Sequence, residues 1–273
     1  MMEFPRSLVL VGAGKMGGAL LEGWLGRGMP GTAVSILDPH PAEAMLALCA
    51  KHGVAVNPDP AGLAAPQVLL LAIKPQMLDE AAAVLAGLAA PETLVVSVMA
   101  GKTLANMRAR MPRAQALVRC IPNTPAAVGR GITVCYPSPE VGAAQRNLAD
   151  GLLQAVGRVE WVEDEALIDA ATAVSGSGPA YVFYLAECLA KAGVAVGLEP
   201  GLAARLARAT VEGAGELMFQ DAATPPETLR RNVTSPGGTT AAALAVLMAG
   251  GGLQPLMTEA VKAARLRAEQ LSG

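Results

Sequence analysis

Four apolar residues, Leu8-Val9-Leu10-Val11, run straight into Gly12-Ala13-Gly14-Lys15-Met16-Gly17, after which Ala19, Leu20, Leu21, Trp24 and Leu25 recur at helical spacing. A strand, a glycine turn and a helix in that order leave few folds open. The glycines allow a sharp bend and let the backbone approach a pyrophosphate at the helix N-terminus, where unpaired N–H groups favour an anion. A second strand, Ala33 to Leu37, ends in Asp38, about 20 residues beyond the last glycine, where a carboxylate can bond both ribose hydroxyls and repel a 2′-phosphate. The alternative is a glycine-rich turn in another kind of α/β protein, with Asp38 a plain strand-end residue before Pro39.

The alternation continues. Pro41 to His52 reads as a helix, Val54 to Val56 as a short strand and Val68 to Ile73 as a fully buried strand, followed by Lys74-Pro75-Gln76 and a helix from Leu78 to Leu88. Leu94 to Met99 is another buried strand closed by Ala100-Gly101; Gln115 to Ile121 leads into Pro122-Asn123-Thr124-Pro125, and Ile132 to Cys135 adds one more. In a parallel sheet, ligands bind outside the carboxyl ends of the strands. Gly12 to Gly17, Asp38, Lys74-Pro75, Ala100-Gly101 and Asn123 all fall on that edge, although each taken singly also reads as a turn or helix cap.

At 273 residues the chain suggests two domains. A formal net charge of −2 gives no electrostatic reason to expect nucleic acid or an acidic membrane as partner. Cys49, Cys120, Cys135 and Cys188 are widely separated, so neither a zinc site nor a disulfide framework is indicated and a reduced, cytoplasmic protein is expected. The start, Met1 to Arg6, lacks the pattern of a signal peptide. The uncharged stretch Asn232 to Thr258 is interrupted by Ser235-Pro236-Gly237-Gly238, Gly250-Gly251-Gly252 and Pro255, and reads as buried in protein rather than in a membrane.

Strand signals stop near Glu163, which predicts an α/β domain over 1–163 and an all-α domain over 164–273. Pro179 opens a helix through about Ala192. In the next helix Arg205, Arg208, Glu212 and Glu216 form a polar stripe opposite Leu202, Leu206, Ala209, Gly213 and Leu217. The segments 179–192 and 239–249 carry few charges and are rich in Ala and Gly. Helices apolar all round must be covered, and a domain of this size has little interior to cover two, so a homodimer through this half is expected.

Ser235-Pro236-Gly237-Gly238-Thr239-Thr240 precedes the apolar run Ala241 to Met248. Proline and paired glycines force a tight turn, and the threonines stand where a helix begins, presenting unpaired N–H groups and two hydroxyls suited to a carboxylate. The two histidines, His40 and His52, are read as surface residues; HExxH, GxSxG and clustered metal ligands are missing from the sequence, so no metal site is expected. With a nicotinamide cofactor, hydride transfer remains. A ketone would need a strong proton donor beside the new alkoxide, whereas a protonated imine already draws the hydride; a hydroxyl to orient its nitrogen and a nest of N–H groups for its carboxylate would suffice.

Gly12 to Gly17, Ala72-Ile73-Lys74-Pro75, Ile121 to Pro125, Ser175-Gly176-Ser177-Gly178-Pro179-Ala180-Tyr181 and Ser235 to Thr240 together resemble pyrroline-5-carboxylate reductase over essentially the whole chain. The resemblance implies a Rossmann-like domain plus an all-α dimerisation domain, and reduction of L-1-pyrroline-5-carboxylate, a small cyclic imino acid, to L-proline with NAD(P)H. Dimers of this family often assemble further, commonly into decamers. Carried over, it assigns Ser235, Gly238, Thr239 and Thr240 to the substrate carboxylate, with Thr240 Oγ1 on the ring nitrogen as the catalytic contact. Gly12, Ala13, Gly14, Lys15, Met16 and Gly17 would cradle the pyrophosphate. Asn57, Ala72, Lys74 and Pro75 would line the adenosine side, and Ala100 and Asn123 would lie near the nicotinamide. Many members have a small or basic residue where Asp38 stands and use NADPH well; Asp38 tilts the expectation toward NADH. Ile121 replaces a methionine often found there, a change expected to affect only packing. Two competitors are a β-hydroxyacid dehydrogenase, whose lysine and asparagine four residues on are not matched by Lys191 and Ala195, and a non-catalytic dinucleotide-sensing dimer.

Overall fold

The computed structural model describes residues 4–272. Within them the chain forms two units: the first runs to Gly176 and takes back the chain from Arg265 onward, and the second is Ser177–Ala264.

The first unit is built on one eight-stranded sheet. In chain order its elements are β1 (Leu8–Val11), α1 (Lys15–Gly26), β2 (Val34–Leu37), α2 (Glu43–His52), β3 (Ala55–Val56), β4 (Val68–Leu71), α3 (Leu78–Leu88), β5 (Leu94–Ser97), α4 (Leu104–Arg110), β6 (Leu117–Ile121), β7 (Gly131–Pro137), α5 (Ala143–Leu153), β8 (Gly157–Trp161) and α6 (Leu167–Ala171). The strand order is β3-β2-β1-β4-β5-β6-β7-β8. All pairings are parallel except β6 with β7.

The continuous apolar runs of β1, β4 and β5 follow from burial on both faces. Leu8, Leu10, Val68, Leu70 and Val96 join Leu20, Leu21 and Trp24 of α1, Met45 of α2 and Leu152 of α5 in one core. Their neighbours Val9, Val11, Leu69, Leu71 and Val95 join Leu78 and Leu85 of α3 and Met107 of α4 in another. Successive residues thus serve opposite faces, as the period of a strand requires. Trp24 is fully buried, and its Nε1–H donates to the Leu152 carbonyl at 2.8 Å, tying α1 to α5. The order reverses between β1 and β4, the place in such a sheet where a crevice opens at the strand C-termini.

In the second unit are α7 (Gly178–Ala195), α8 (Pro200–Gln220), α9 (Pro226–Asn232), α10 (Thr239–Leu247) and the first part of α11 (Leu253–Ser272). By contact the first unit extends past Glu163. α6 and the π-helical turn Thr172–Gly176 stay with the sheet, since Ile168 forms a small core with Ile121 of β6 and Val134 of β7. No residue of α7 or α10 is buried within the chain; Phe183 is 64% exposed and Val246 72%. No helix among the described residues is long and apolar enough to cross a membrane.

Candidate active site

The glycine turn is shaped by contacts that exclude side chains. Gly12 has φ +91°, and a Cβ there would lie 2.7 Å from the Ala72 carbonyl oxygen; a Cβ on Gly17 would lie 2.1 Å from that of Gly12. The turn is therefore pressed against the end of β4. Gly14 differs, having no atom within 4 Å of a Cβ, so its missing side chain leaves open space outside the turn. Gly14 also caps α1 without a side-chain bond, the first turn holds no acidic residue, and Gly18 is the first helical residue whose N–H reaches back, to Gly14 at 2.7 Å. The N–H groups of Lys15, Met16 and Gly17 are left for an anion. This arrangement fits the pyrophosphate of a dinucleotide.

Asp38 stands beside it at the end of β2. Its Oδ2 accepts the Ala13 N–H at 2.7 Å and its Oδ1 the His40 N–H at 2.8 Å. No cation pairs with it among the described residues. Asn57, just after β3, bonds the Asp38 main chain. Its Oδ1 accepts the Asp38 N–H at 2.9 Å and its Nδ2 donates to the Asp38 carbonyl at 2.7 Å. His40 and His52 are both exposed.

Further along the edge, Ala72 follows β4, and exposed Lys74 with Pro75 opens the 3₁₀ turn Pro75–Met77 that leads into α3. Ala100 is exposed, and Gly101 beside it has φ +67° with the Leu271 carbonyl 2.9 Å from where a Cβ would lie. Asn123, after β6, uses its side chain on the fold: Oδ1 accepts the Ile132 N–H at 3.0 Å and Nδ2 donates to the Ser175 carbonyl at 3.1 Å.

Behind these lies a buried ionic node absent from the expectations. Arg119 of β6 is 2% exposed and pairs with Glu165 at 3.2 Å and Asp169 at 2.7 Å, and it also donates to Ser272 Oγ at 3.1 Å. Glu165 accepts the Leu104 N–H at the start of α4 as well. A charge inside Leu117-Val118-Arg119-Cys120-Ile121 was the available signal. Cys120 and Cys135, opposite each other on β6 and β7, have Sγ atoms 3.2 Å apart. Burial first, and then Cys135, push the Cys120 thiol well above its usual range, which keeps it protonated and a poor nucleophile.

In the second unit, Ser235 to Gly238 form a turn closed by the Gly238 N–H on the Ser235 carbonyl at 3.0 Å. Pro236 followed by Gly237 at φ +69° is the signature of type II. Gly238 caps α10 with no side-chain bond, and the first N–H to reach back is that of Ala242, to Gly238 at 3.1 Å. The amides of Thr239, Thr240 and Ala241 consequently have no helical partner, and Thr240 Oγ1 bonds no protein group among the described residues. Ser235 is exposed and Thr240 half-buried. The turn brings together the four residues expected to bind substrate. Its N–H groups and hydroxyls can hold a carboxylate and accept an N–H, and it contains no acid or base.

Residues 165–271 match the family described as pyrroline-5-carboxylate reductase dimerisation, and residues 7–101 that described as NADP oxidoreductase coenzyme F420-dependent. A pyrroline-5-carboxylate reductase of Pseudomonas aeruginosa is 38% identical over 272 residues, 99% of this chain and 98% of that protein. The structure of a pyrroline-5-carboxylate reductase from Coxiella burnetii is similar with a TM-score of 0.87 at 33% identity, covering 99% of this chain and all of that one. That of the Plasmodium falciparum pyrroline carboxylate reductase, with NADP bound, is similar at 0.78 and 26% identity over the full length of both chains.

Proposed function

The chain belongs to the pyrroline-5-carboxylate reductase family, and from that premise we propose that the Ser235–Thr240 turn holds the substrate while the first unit holds the cofactor. The protein is an oxidoreductase that reduces L-1-pyrroline-5-carboxylate to L-proline with NAD(P)H, and a homo-oligomer. The cofactor supplies a hydride to the imine carbon.

The observation that carries the site reading is the uncapped start of α10. Amides of Thr239 to Ala241 and the Ser235 hydroxyl surround the substrate carboxylate, with the Gly238 N–H closing the turn beneath them, and the Thr240 hydroxyl accepts the N–H of the protonated imine, fixing the orientation of the ring. No side-chain acid is needed, because the nitrogen carries its proton before reduction and keeps it afterwards. Gly12 to Gly17 bind the pyrophosphate at the start of α1. Ala72, Lys74 and Pro75 line the adenosine side, and Ala100 and Asn123 stand near the nicotinamide, Asn123 acting through the backbone that it braces.

The cofactor preference follows from Asp38. Its carboxylate oxygens each take one backbone N–H and retain lone pairs for ribose hydroxyls, while no cation among the described residues offsets its charge against a 2′-phosphate. NADH is therefore the favoured donor. The homodimer forms through the second unit, whose α7 and α10 are poor in charge and have no residue buried within the chain, and dimers assemble further into decamers. The same reading places the enzyme in the cytoplasm, in keeping with four free cysteines.

Steady-state assays following loss of reduced nicotinamide test the reading. With pyrroline-5-carboxylate, kcat/KM is expected to be higher for NADH than for NADPH, and pyrroline-2-carboxylate should be a poor substrate. A higher value for NADPH overturns the role of Asp38, and failure to oxidise either cofactor overturns the substrate assignment.

A further inference from the structure

Asn57 is the one described residue other than glycine with positive φ, at +49°. Such a backbone is uncommon outside glycine and tolerated best by Asn and Asp, so something holds it there. Its own N–H donates to the Ile36 carbonyl at 2.8 Å, directly after the β2–β3 pairs Ser35 with Ala55 and Ile36 with Val56. Its side-chain amide then makes both bonds to the main chain of Asp38, accepting at 2.9 Å and donating at 2.7 Å. β3 is only two residues long. The Asn57 side chain does for Asp38 what another residue of β3 would do for a neighbouring strand, closing a pair of hydrogen bonds on its N–H and carbonyl.

The consequence reaches the carboxylate. Asp38 Oδ2 lies 2.7 Å from the Ala13 amide of the glycine turn and Oδ1 lies 2.8 Å from that of His40. Those contacts require the Asp38 peptide to stay in one orientation, and after Leu37 no β-ladder pairing holds it. The left-handed turn at Asn57 is what returns the side chain toward β2.

We infer that Asn57 is a positioning residue for cofactor specificity: through its paired bonds to the Asp38 backbone it fixes the carboxylate that discriminates between the ribose of NADH and the 2′-phosphate of NADPH. This rests on the reading of Asp38 given above and adds that the discrimination depends on a side chain that acts through Asp38.

The test is a double-mutant cycle of Asp38→Ala and Asn57→Gly, with kcat and KM measured for NADH and NADPH in all four proteins. Glycine keeps the positive φ accessible and removes only the amide. Asn57→Gly should lower the NADH-to-NADPH ratio of kcat/KM by about three- to tenfold, the scale of one or two net hydrogen bonds, with the change falling on KM for NADH rather than on kcat. In the Asp38→Ala background the same substitution should leave the ratio within about twofold. Asn57→Asp keeps the acceptor but turns a second oxygen on the Asp38 carbonyl, and should shift the ratio in the same direction as glycine. If Asp38→Ala itself does not move the ratio, the reading of Asp38 fails. If Asp38→Ala moves it but Asn57→Gly acts equally in both backgrounds, or not at all, Asn57 does not work through Asp38 and the inference alone is overturned.

Discussion

Glu199 shows how much one side chain can organise. It precedes α8 and caps it alone, Oε1 accepting the Gly201 N–H and Oε2 the Leu202 N–H, both at 2.8 Å. These bonds, that from Gly201 first, hold its carboxyl below the usual glutamate range. A folded-state pKa below the unfolded one contributes stability that is present above the unfolded pKa and lost as pH falls through the folded one. Glu199→Ala should therefore melt at a lower temperature than the wild type at neutral pH, and the gap should close in acid as the wild-type carboxyl protonates. A gap that stays constant from neutral pH into acid would contradict the capping charge. Other residues were legible to different degrees. The glycine turn could be read because its spacing is local and each glycine answers to a backbone constraint. Asn57 could not be read as a brace for Asp38, since its role depends on a bond 19 positions away and on a φ that the sequence does not display. Asn123 reads as a site residue in sequence, and the bonds of its amide to Ile132 and Ser175 are a further role that spacing does not display.

Among elements, those with strong apolar periodicity were visible. β1, β4 and β5 are buried on both faces and read as unbroken apolar runs, and α1 declares its inner face through Leu20, Leu21 and Trp24. β8 and α5 were not foreseen. Gly157–Trp161 lies at the sheet edge, alternates charged and apolar residues and has no fully buried position, so only pairing with β7 makes it a strand. α5 buries Ala149, Leu152 and Leu153 in a sequence that mixes them with Gln145, Arg146, Asn147 and Asp150. α4 is short, and its signal was a capping box, with Thr103 Oγ1 accepting the Asn106 N–H and Asn106 Oδ1 the Thr103 N–H, both at 3.1 Å. The antiparallel turn of β7 against β6 had no local marker at all, because register and direction are set by packing between strands distant in sequence.

For the whole molecule, the change from alternating elements to helices was legible, while α6 and the turn after it, helical in sequence, belong to the sheet by contact. The uncovered faces of α7 and α10 argue for a second copy of the chain, as burying large apolar side chains contributes about 1.5–3 kcal/mol each. Sedimentation should give at least twice the 27.7 kDa chain mass, and Phe183→Glu should shift the protein toward monomer; a monomeric wild type would refute the dimer. The central claim is that the turn before α10 orients the imine. Kinetics of Thr240→Ala, paired with a fluorescence titration of NADH, address it most directly. Loss of a hydrogen bond to a charged group predicts a fall in kcat of roughly 10- to 100-fold with pyrroline-5-carboxylate, while NADH affinity stays within about twofold. Wild-type kcat in Thr240→Ala, or a loss of NADH binding that accounts for the whole defect, would contradict it.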